Sequence, residues 1–519
     1  MGQRVIIPIF GGTYEGHEGG SQEWQANEAS LNIIPQVDPE GIGKIQPGTL
    51  KRFPGTSEFS TVRNGAGVET CRGMITFEDQ GDSYNEKVAT IINTQFGITD
   101  SAGTTAVPTT ISNAITADFG TVTMHLFQSG ATSNVVWAPH GTAASGIGRY
   151  VSSTDTQDVV AVTGTGFANN SPNTISTMNR QILGEDGQSW ATSAPGTESI
   201  DTTNRLAEAE AFPDRLLRSF SLNPYSYKFG SRSIEVYENT GTGKPPFRRI
   251  PSGVFNRGIL NKNAIASWGD KIFFLDNQSN PVMMRGLQLV DIGNPFIKTE
   301  FRRFSLGGPF DDGSMGDIAI MPIFWEGQLM VVFKTIQWDS NSSPVKNQVY
   351  VWHETPNLWT QVGATLGTSQ WGYAAYAYAF DKHLVMHESN GKMYELTPDE
   401  YQDAGTTMDM LRVTKNVTSE MLGGEPDQWV YYNRVVITAL GGNFSGTNEL
   451  KLSFSDDGGT SWATDLVADM DGNNANFNTD IYYAGLGRSR NRMWRITYDS
   501  IDSQMVFISM QAEVEFGAP

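Results

Sequence analysis

Residues 454–462 read FSDDGGTSW, and within them Ser455, Asp457, Gly459, Ser461 and Trp462 form the spacing S-x-D-x-G-x-S-W. A carboxylate between a hydroxyl and a glycine suits a hairpin turn. Asp457 can accept backbone N–H bonds, Gly459 permits φ > 0, and Trp462 can pack beside the turn. Such a turn staples a loop and does no chemistry. Acid–base hydrolysis of a sugar needs two carboxyls about 5–10 Å apart across a cleft. Adjacent acids such as Asp311-Asp312 and Asp456-Asp457 are expected by chance among 56 acids, so they read as solvated loop residues. His383 and His387 would share a metal on a helix, but HLVMHES reads as a strand, where four residues span about 13 Å. The stretch also lacks the H-E-x-x-H pattern. Asp469, Asp471, Asn473 and Asp480 fall at calcium-loop positions. There Asn474 replaces the required glycine, Asp480 replaces the bidentate glutamate, and no flanking helices are evident, so a polar hairpin loop is the reading. Cys71, the single cysteine, reads as a small buried hydrophobe. No phosphate-cradling glycine loop, Ser-His-Asp set or CxxC pair is present. No catalytic, cofactor-binding or metal-binding residue is expected, and no cofactor.

The elements that must carry such a turn are β. In 519 residues there is room for two or three domains, or one large propeller with appendages. Abundant glycine and aromatics with a modest apolar fraction suit many short, half-exposed strands. A formal charge of −20 excludes general attraction to nucleic acid or anionic membranes, because phosphates are bound by cations. An acidic surface is compatible with solubility, and equally with a channel through which DNA slides without sticking. The N-terminal apolar run is too short for a signal peptide and no stretch approaches a membrane span, so folding in a reducing cytosol is expected.

Residues 1–60 read as an extended arm on another surface. The segment 85–200 is rich in Thr, Ser, Asn and Ala, yet GTVTMHLF, SNVVWAP and DVVAVTG read as short strands on polar loops. TTNRLAEAEAFPDRLL predicts one or two helical turns ending at Pro213. From residue 225 four hairpins share one plan, with turns near Gly230, Gly269, Gly327 and Asp381. Recurrence at about 40–55 residues is the sequence form of propeller blades, since one blade cannot bury both faces alone. After about residue 420, longer alternating strands predict a separate antiparallel sheet or sandwich. The fold class is therefore all-β: a β-propeller-like body over 61–420, the arm over 1–60, and a C-terminal β domain over 421–519. The basic stretches RRIPSGVFNRG (248–258) and KTEFRRF (298–304) are expected to meet acids on another subunit rather than DNA.

The FSDDGGTSW turn resembles the Asp box of sialidases and other sugar-binding propellers. Those enzymes carry several boxes and a cleft with Arg, Tyr and Glu; here there is one box, outside the hairpin repeats. The chain as a whole resembles the tail accessory, or packaged-DNA stabilisation, proteins of short-tailed bacteriophages. LNIIPQVDPEG with GTLKRFPGTSEF (31–59), RGM (72–74), AEAFPDRLLRSFSLNPYSYKFGSRSIEVYENTG (209–241), GVFNRGILNKNAIASWGDKIFFLD (253–276), LSFSDDGGTSW and GLGRSRNRMWRITYD (485–499) carry that resemblance in order.

The resemblance implies a non-enzymatic virion protein, assembled in the host cytoplasm. It implies a tail nozzle ring of six copies beneath head-to-tail adaptor proteins, with tail fibres or a needle or plug as further partners. The ring would extend the DNA channel, retain packaged DNA and take part in ejection, DNA passing without sequence-specific binding. The competing readings are an Asp-box glycosidase or carbohydrate-binding protein, and a receptor-binding tail adhesin.

Overall fold

The computed structural model describes residues 3–13, 28–42, 46–65, 68–112, 115, 121–129, 132–140, 146–167, 170–209, 211–306, 318–338, 344–363, 371–441, 449–470, 479–500 and 503–518. Among the described residues seven sets of antiparallel strands follow one another from Cys71 to Thr397, six of four strands and a last of three that Gly55–Thr61 completes; a short parallel strand, Thr110–Ile111, adds to the second. Their innermost strands are Cys71–Asp79, Thr123–Ser129, Thr174–Met178, Leu216–Leu222, Ile265–Trp268, Ile318–Trp325 and Tyr373–Ala379. Innermost strands of successive blades touch, the fourth and fifth blades meet through Phe229 and Phe274, and the last innermost strand touches the first, so the blades close into a propeller. Six blades are sheets of their own; the remaining one, Ile318–Gln361, the sixth in order, belongs to a larger sheet. The inner middle strands are apolar on both faces, as in Lys271–Leu275 (KIFFL). Each face meets an adjoining blade, and Phe229, Phe273, Phe274 and Val331 pack in one core across three blades.

Closure of the ring is made by the N-terminal segment. Gly55–Thr61 forms the outer strand of the last blade, pairing antiparallel with Lys392–Thr397. The expected arm over 1–60 is thus corrected. Gln3–Ile7 and Gln46–Arg52 pair with the C-terminal strand Met505–Phe516, and Ile33–Ile42 pairs with Gln46–Arg52. The physical reason is that these strands bury apolar faces, with Ile7, Ile9, Ile33 and Leu50 in the sandwich core.

The C-terminal sandwich is not separate either. Leu358–Gln361, the last strand of the sixth blade, continues through Ala29–Leu31 to Met410–Val413, Asn491–Tyr498, Glu449–Ser455 and Leu466–Asp469 in one ten-stranded sheet. The second sandwich sheet is built around Val430–Gly441 and Met505–Phe516. Arg412 joins the two ends of the chain: it is buried, donates to the carbonyls of Ile9 (2.6 Å), Gly12 (3.0 Å) and Ala29 (3.2 Å), and pairs with Glu28.

The four hairpins expected after residue 225 are present, but the first joins the second and third strands of its blade, whereas the others join the first and second. That phase difference shortens the first of their spacings. The Thr/Asn-rich stretch contributes strands to the first three blades, including Thr123–Ser129, Thr132–Ala138 and Thr156–Val160. The expected helix around Leu206 is a strand, Leu206–Glu208, completing the third blade against Ser189–Thr192. A free sheet edge beside it outweighs the helix propensity of a segment too short to sustain a helix. One α-helix, Pro295–Leu306, was not anticipated. Asn294 caps it, its side chain accepting from the N–H of Ile297 at 2.8 Å, and Pro295 occupies the first turn. Its Phe296, Ile297 and Phe301 enter the core.

Candidate functional site

The turn at 455–462 has the geometry its spacing implies. Asp457 accepts from the N–H of Ser461 (2.9 and 3.1 Å) and from its hydroxyl (2.5 Å). The Ser455 hydroxyl donates to Asp457 at 2.7 Å and accepts from the N–H of Gly459 at 2.8 Å. Gly459 sits at φ 91°, which a side chain would strain. The two Ser461 hydrogen bonds, then that of Ser455, hold the Asp457 carboxyl down to about 2. A carboxyl so engaged is neither a general acid nor a free base near neutrality. Its neighbour Asp456 is taken by Arg492, bidentate at 2.6 and 2.7 Å. The Arg492 guanidinium is buried beside Phe454 (3.9 Å) and Tyr432 (4.8 Å). Trp462 packs beside Met493 and under Arg495.

The other sequence candidates do not assemble a site. His383 and His387 lie on the strand Lys382–His387. His383 stacks with Tyr376, and burial lowers both imidazoles, His387 to about 4. Among the described residues no group of His, Cys, Asp and Glu could hold a metal. Asp311-Asp312 and most of the 469–480 loop lie outside the described residues; within it, Asp480 accepts from the Thr438 hydroxyl at 2.6 Å. Cys71 is buried, which pushes its thiol up to about 12. The basic stretches meet acids of their own chain, correcting the expected intersubunit pairing: Arg248 with Glu238, Arg249 with Glu235, Arg257 with Asp276 and Asp291, and Lys298 with Asp291.

The notable cavity, about 590 Å³, runs along the propeller axis. Its wall comes from the innermost strands and their approaches: Arg72–Thr76, Val122 and Met124, Arg218, Lys262 and Asn263, Ile265–Trp268, Ile318–Pro322 and Ala374–Tyr378. Gly73 lets the first two blades approach, since a Cβ there would stand 2.9 Å from Met124 Sδ and Val122 Cγ2. The lining holds two arginines, a lysine and two tyrosines, and among the described residues no carboxylate.

Behind the wall, where the third and fourth blades meet, lies a cluster of buried charges. Lys228 Nζ donates to the Ser219 hydroxyl at 2.7 Å and lies 4.3 Å over the Trp190 ring. Burial lowers this amine to about 7, with Glu185 opposing the shift. Glu185 accepts from the Thr174 hydroxyl (2.9 Å) and the N–H of Gly187 (2.7 Å), and burial raises its carboxyl to about 7. Burial also lowers Arg218 to about 10 and His125 to about 3. Sequence reasoning passed over this cluster. The available signal was Lys228 inside YSYKFG, a charge in mid-strand between aromatics.

These features define a structural class: a closed seven-bladed β-propeller continuous with a β-sandwich, its ionic groups largely engaged in stapling strands. Residues 7–295 match the family model described as "Bacteriophage P22 Gp10, beta-propeller", more than half of the sequence, and the chain belongs to that family of phage structural proteins. No curated protein matches it. Among solved structures it is similar to an exo-beta-1,3-galactanase from Phanerochaete chrysosporium with galactose, at 10% identity over 74% of this chain and 95% of the other, with a TM-score of 0.28. It is also similar to a humanized mutant of the Chaetomium thermophilum Polycomb Repressive Complex 2, at 10% identity over 59% and 72% of the two chains, with a TM-score of 0.32. Likenesses this distant carry no weight for function.

Proposed function

We propose that this chain forms the tail nozzle of a short-tailed phage. Six copies close into a ring beneath the head-to-tail adaptor proteins, extend the DNA channel, retain the packaged genome and take part in its ejection. The observation that carries this reading is the single ten-stranded sheet running from the sixth blade into the sandwich, with N-terminal strands woven into both. A body without a hinge between its two parts suits a load-bearing wall. The net charge of −20 suits a lumen that lets a polyanion pass without adhering. In this reading the 455–462 turn is scaffold and the chain performs no catalysis. Ring contacts would bury on the order of 2,000 Å² each. Exposed Tyr431, Tyr482 and Val467 on the sandwich are suited to them.

Immunogold labelling of virions with antibody against the chain tests the proposal. Label confined to the axial tail below the head vertex is expected. Label on lateral fibres or spikes would overturn the nozzle in favour of an adhesin, and protein found free of particles would return the glycosidase reading. One observation favours a sugar-binding or adhesin role as the second reading. Trp268 and Phe324 stack at 5.8 Å and 11° while remaining 37% and 44% exposed, a platform on which a sugar ring could lie. Retention of the isolated protein on a glycan array, lost in Trp268→Ala, would support it.

A further inference from the structure

We propose that copies of this chain associate head to tail: the arginine- and tyrosine-bearing outer face of the sandwich on one copy docks on the acidic hairpin ends of the first and seventh blades of the next. The inference deepens the ring reading and rests on it for the closed ring, but the contact itself concerns any two copies.

The first patch lies on the sandwich sheet built around Val430–Gly441. Val435, Ile437, Ile481 and Tyr483 enter the core, so strand alternation turns Arg434 and Tyr482 outward. Tyr431 lies on the same outer face, between the core residues Val430 and Tyr432. Tyr482 is 55% exposed and Tyr431 38%. Arginines lie over these rings: Arg434 at 5.2 Å from Tyr482, and Arg488 at 5.8 Å from Tyr431 and 4.5 Å from Trp429. Arg490 covers Trp429 at 4.9 Å. Arg434 and Arg490 hold Glu513 and Asp427 at 3.2 and 3.1 Å, while Arg488 donates to the Tyr431 hydroxyl at 3.1 Å. Tyrosine, tryptophan and arginine carry most of the binding energy at protein interfaces, and a guanidinium lying on a ring keeps in-plane donors for a carboxylate.

The second patch lies where two hairpins turn, between Cys71–Asp79 and Asn85–Ile92 and between Tyr373–Ala379 and Lys382–His387. Glu78 and Glu86 stand directly opposite each other across the first pair. Like charges so placed are destabilising. Glu86 also accepts from the N–H of Phe380 at 2.5 Å, which brings Asp381 alongside, and all three acids are exposed. The nearby Lys87 and Lys382 are paired with Asp82 and Glu395. Tyr84 and Tyr378, on the same hairpins, are 62% and 49% exposed. Tyr84 stands at φ 63°, a strained conformation for a bulky residue, with little burial of its ring to offset the strain.

These four are the exposed tyrosines among the described residues, and they divide two and two between a cationic and an acidic patch. Acids outnumber bases by 20 in this chain, so copies repel at long range, and a contact between them is favoured where arginines meet carboxylates. A contact between two different patches is heterologous, and repeating it closes a ring or extends a filament.

Sedimentation velocity of the full chain across a concentration series is the test. Wild type is expected to form species larger than a dimer. Arg434→Glu with Arg488→Glu, and separately Glu78→Arg with Glu86→Arg, should each be monomeric at concentrations where wild type assembles. An equimolar mixture of the two variants should associate again, because the intact patch of each meets the intact patch of the other. Arg285→Gln, which removes an exposed arginine paired with Asp270, should assemble as wild type does. Thermal melts followed by circular dichroism establish that the variants are folded, and Tyr482→Ala and Tyr84→Ala take the place of a charge-reversed pair that is not. A wild type that stays monomeric, a reversed variant that still associates by itself, or a mixture that stays monomeric would overturn the contact. The readout is association of the isolated chain, so immunogold label absent from the axial tail would sink the nozzle without changing this result.

Discussion

Asn32 and Gly363, 331 positions apart in the chain, exchange two hydrogen bonds: Asn32 Nδ2 donates to the Gly363 carbonyl at 2.7 Å, and the Gly363 N–H donates to Asn32 Oδ1 at 2.9 Å. Nδ2 also donates to the Asp409 carbonyl at 2.8 Å. One fully buried side chain therefore ties the N-terminal segment to the exit of the sixth blade and to the approach of the sandwich. Asn32 stands at φ 54°, a conformation asparagine tolerates better than most residues.

Asn32→Ala should therefore be strongly destabilising. It leaves buried backbone groups without partners and puts at positive φ a residue without the polar side chain that eases asparagine there, together costing roughly 3 kcal/mol. Asn32→Gly relieves the backbone but not the hydrogen bonds, and should fall between the two. Urea midpoints of the three proteins check this order; an alanine variant as stable as wild type would refute the stapling role.

Arg412→Met tests the joint between the chain ends. Removing this buried cation strands Glu28 and three carbonyls, at a cost of about 3–5 kcal/mol. Amide hydrogen exchange should accelerate first over residues 3–13, whose carbonyls Arg412 holds. Uniform acceleration throughout the propeller would contradict a local staple.

The buried Glu185 and Lys228 give opposite pH dependences. Glu185 rises from 4.5 to about 7, so the folded chain holds a proton that the unfolded chain releases between these values. Its contribution is present below pH 4.5 and is lost as pH rises through 7. Lys228 falls from 10.5 to about 7, so the unfolded chain holds the extra proton and stability rises with pH across that window. Glu185→Gln should flatten the first slope and Lys228→Met the second, each by up to about 1.4 kcal/mol per pH unit. Denaturation midpoints between pH 4.5 and 10 check both, and unchanged slopes would show that neither group titrates as described.

Asp457 works in the opposite sense to Glu185. Its folded value, about 2, lies below the ordinary 3.8, so its contribution is present above pH 3.8 and is lost as pH falls through 2. Carboxyl ¹³C shifts should give a midpoint near 2 that moves upward in Ser461→Ala. A wild-type midpoint near 3.8 would mean the turn is not closed in solution.

Much of this architecture was legible because its signals are local. Turn residues and alternating apolar positions identified the later hairpins, and the spacing of Ser455, Asp457 and Gly459 was enough to specify a turn whose bonds span four residues. Failures arose where the partner was distant. Leu206–Glu208 has helix-forming residues, yet a neighbouring strand decided its state. The Asn294-Pro295 start of the helix is local, but the helix is held by Phe296, Ile297 and Phe301 in a core shared with distant strands.

By itself the sequence determined an all-β chain of repeated blades, a stapled turn and an acidic protein. Each follows from residue types within a few positions of one another, where backbone preference and period-two burial suffice. Tertiary structure alone decided that Gln3–Ile7, Ala29–Leu31, Ile33–Ile42 and Gln46–Arg52 belong to the chain's own sheets, that Gly55–Thr61 closes the propeller on Lys392–Thr397, and that Lys228 is buried between the Ser219 hydroxyl and the Trp190 ring. Those outcomes depend on which distant strand edge is free and which charges burial brings together, and neither quantity is encoded in local spacing.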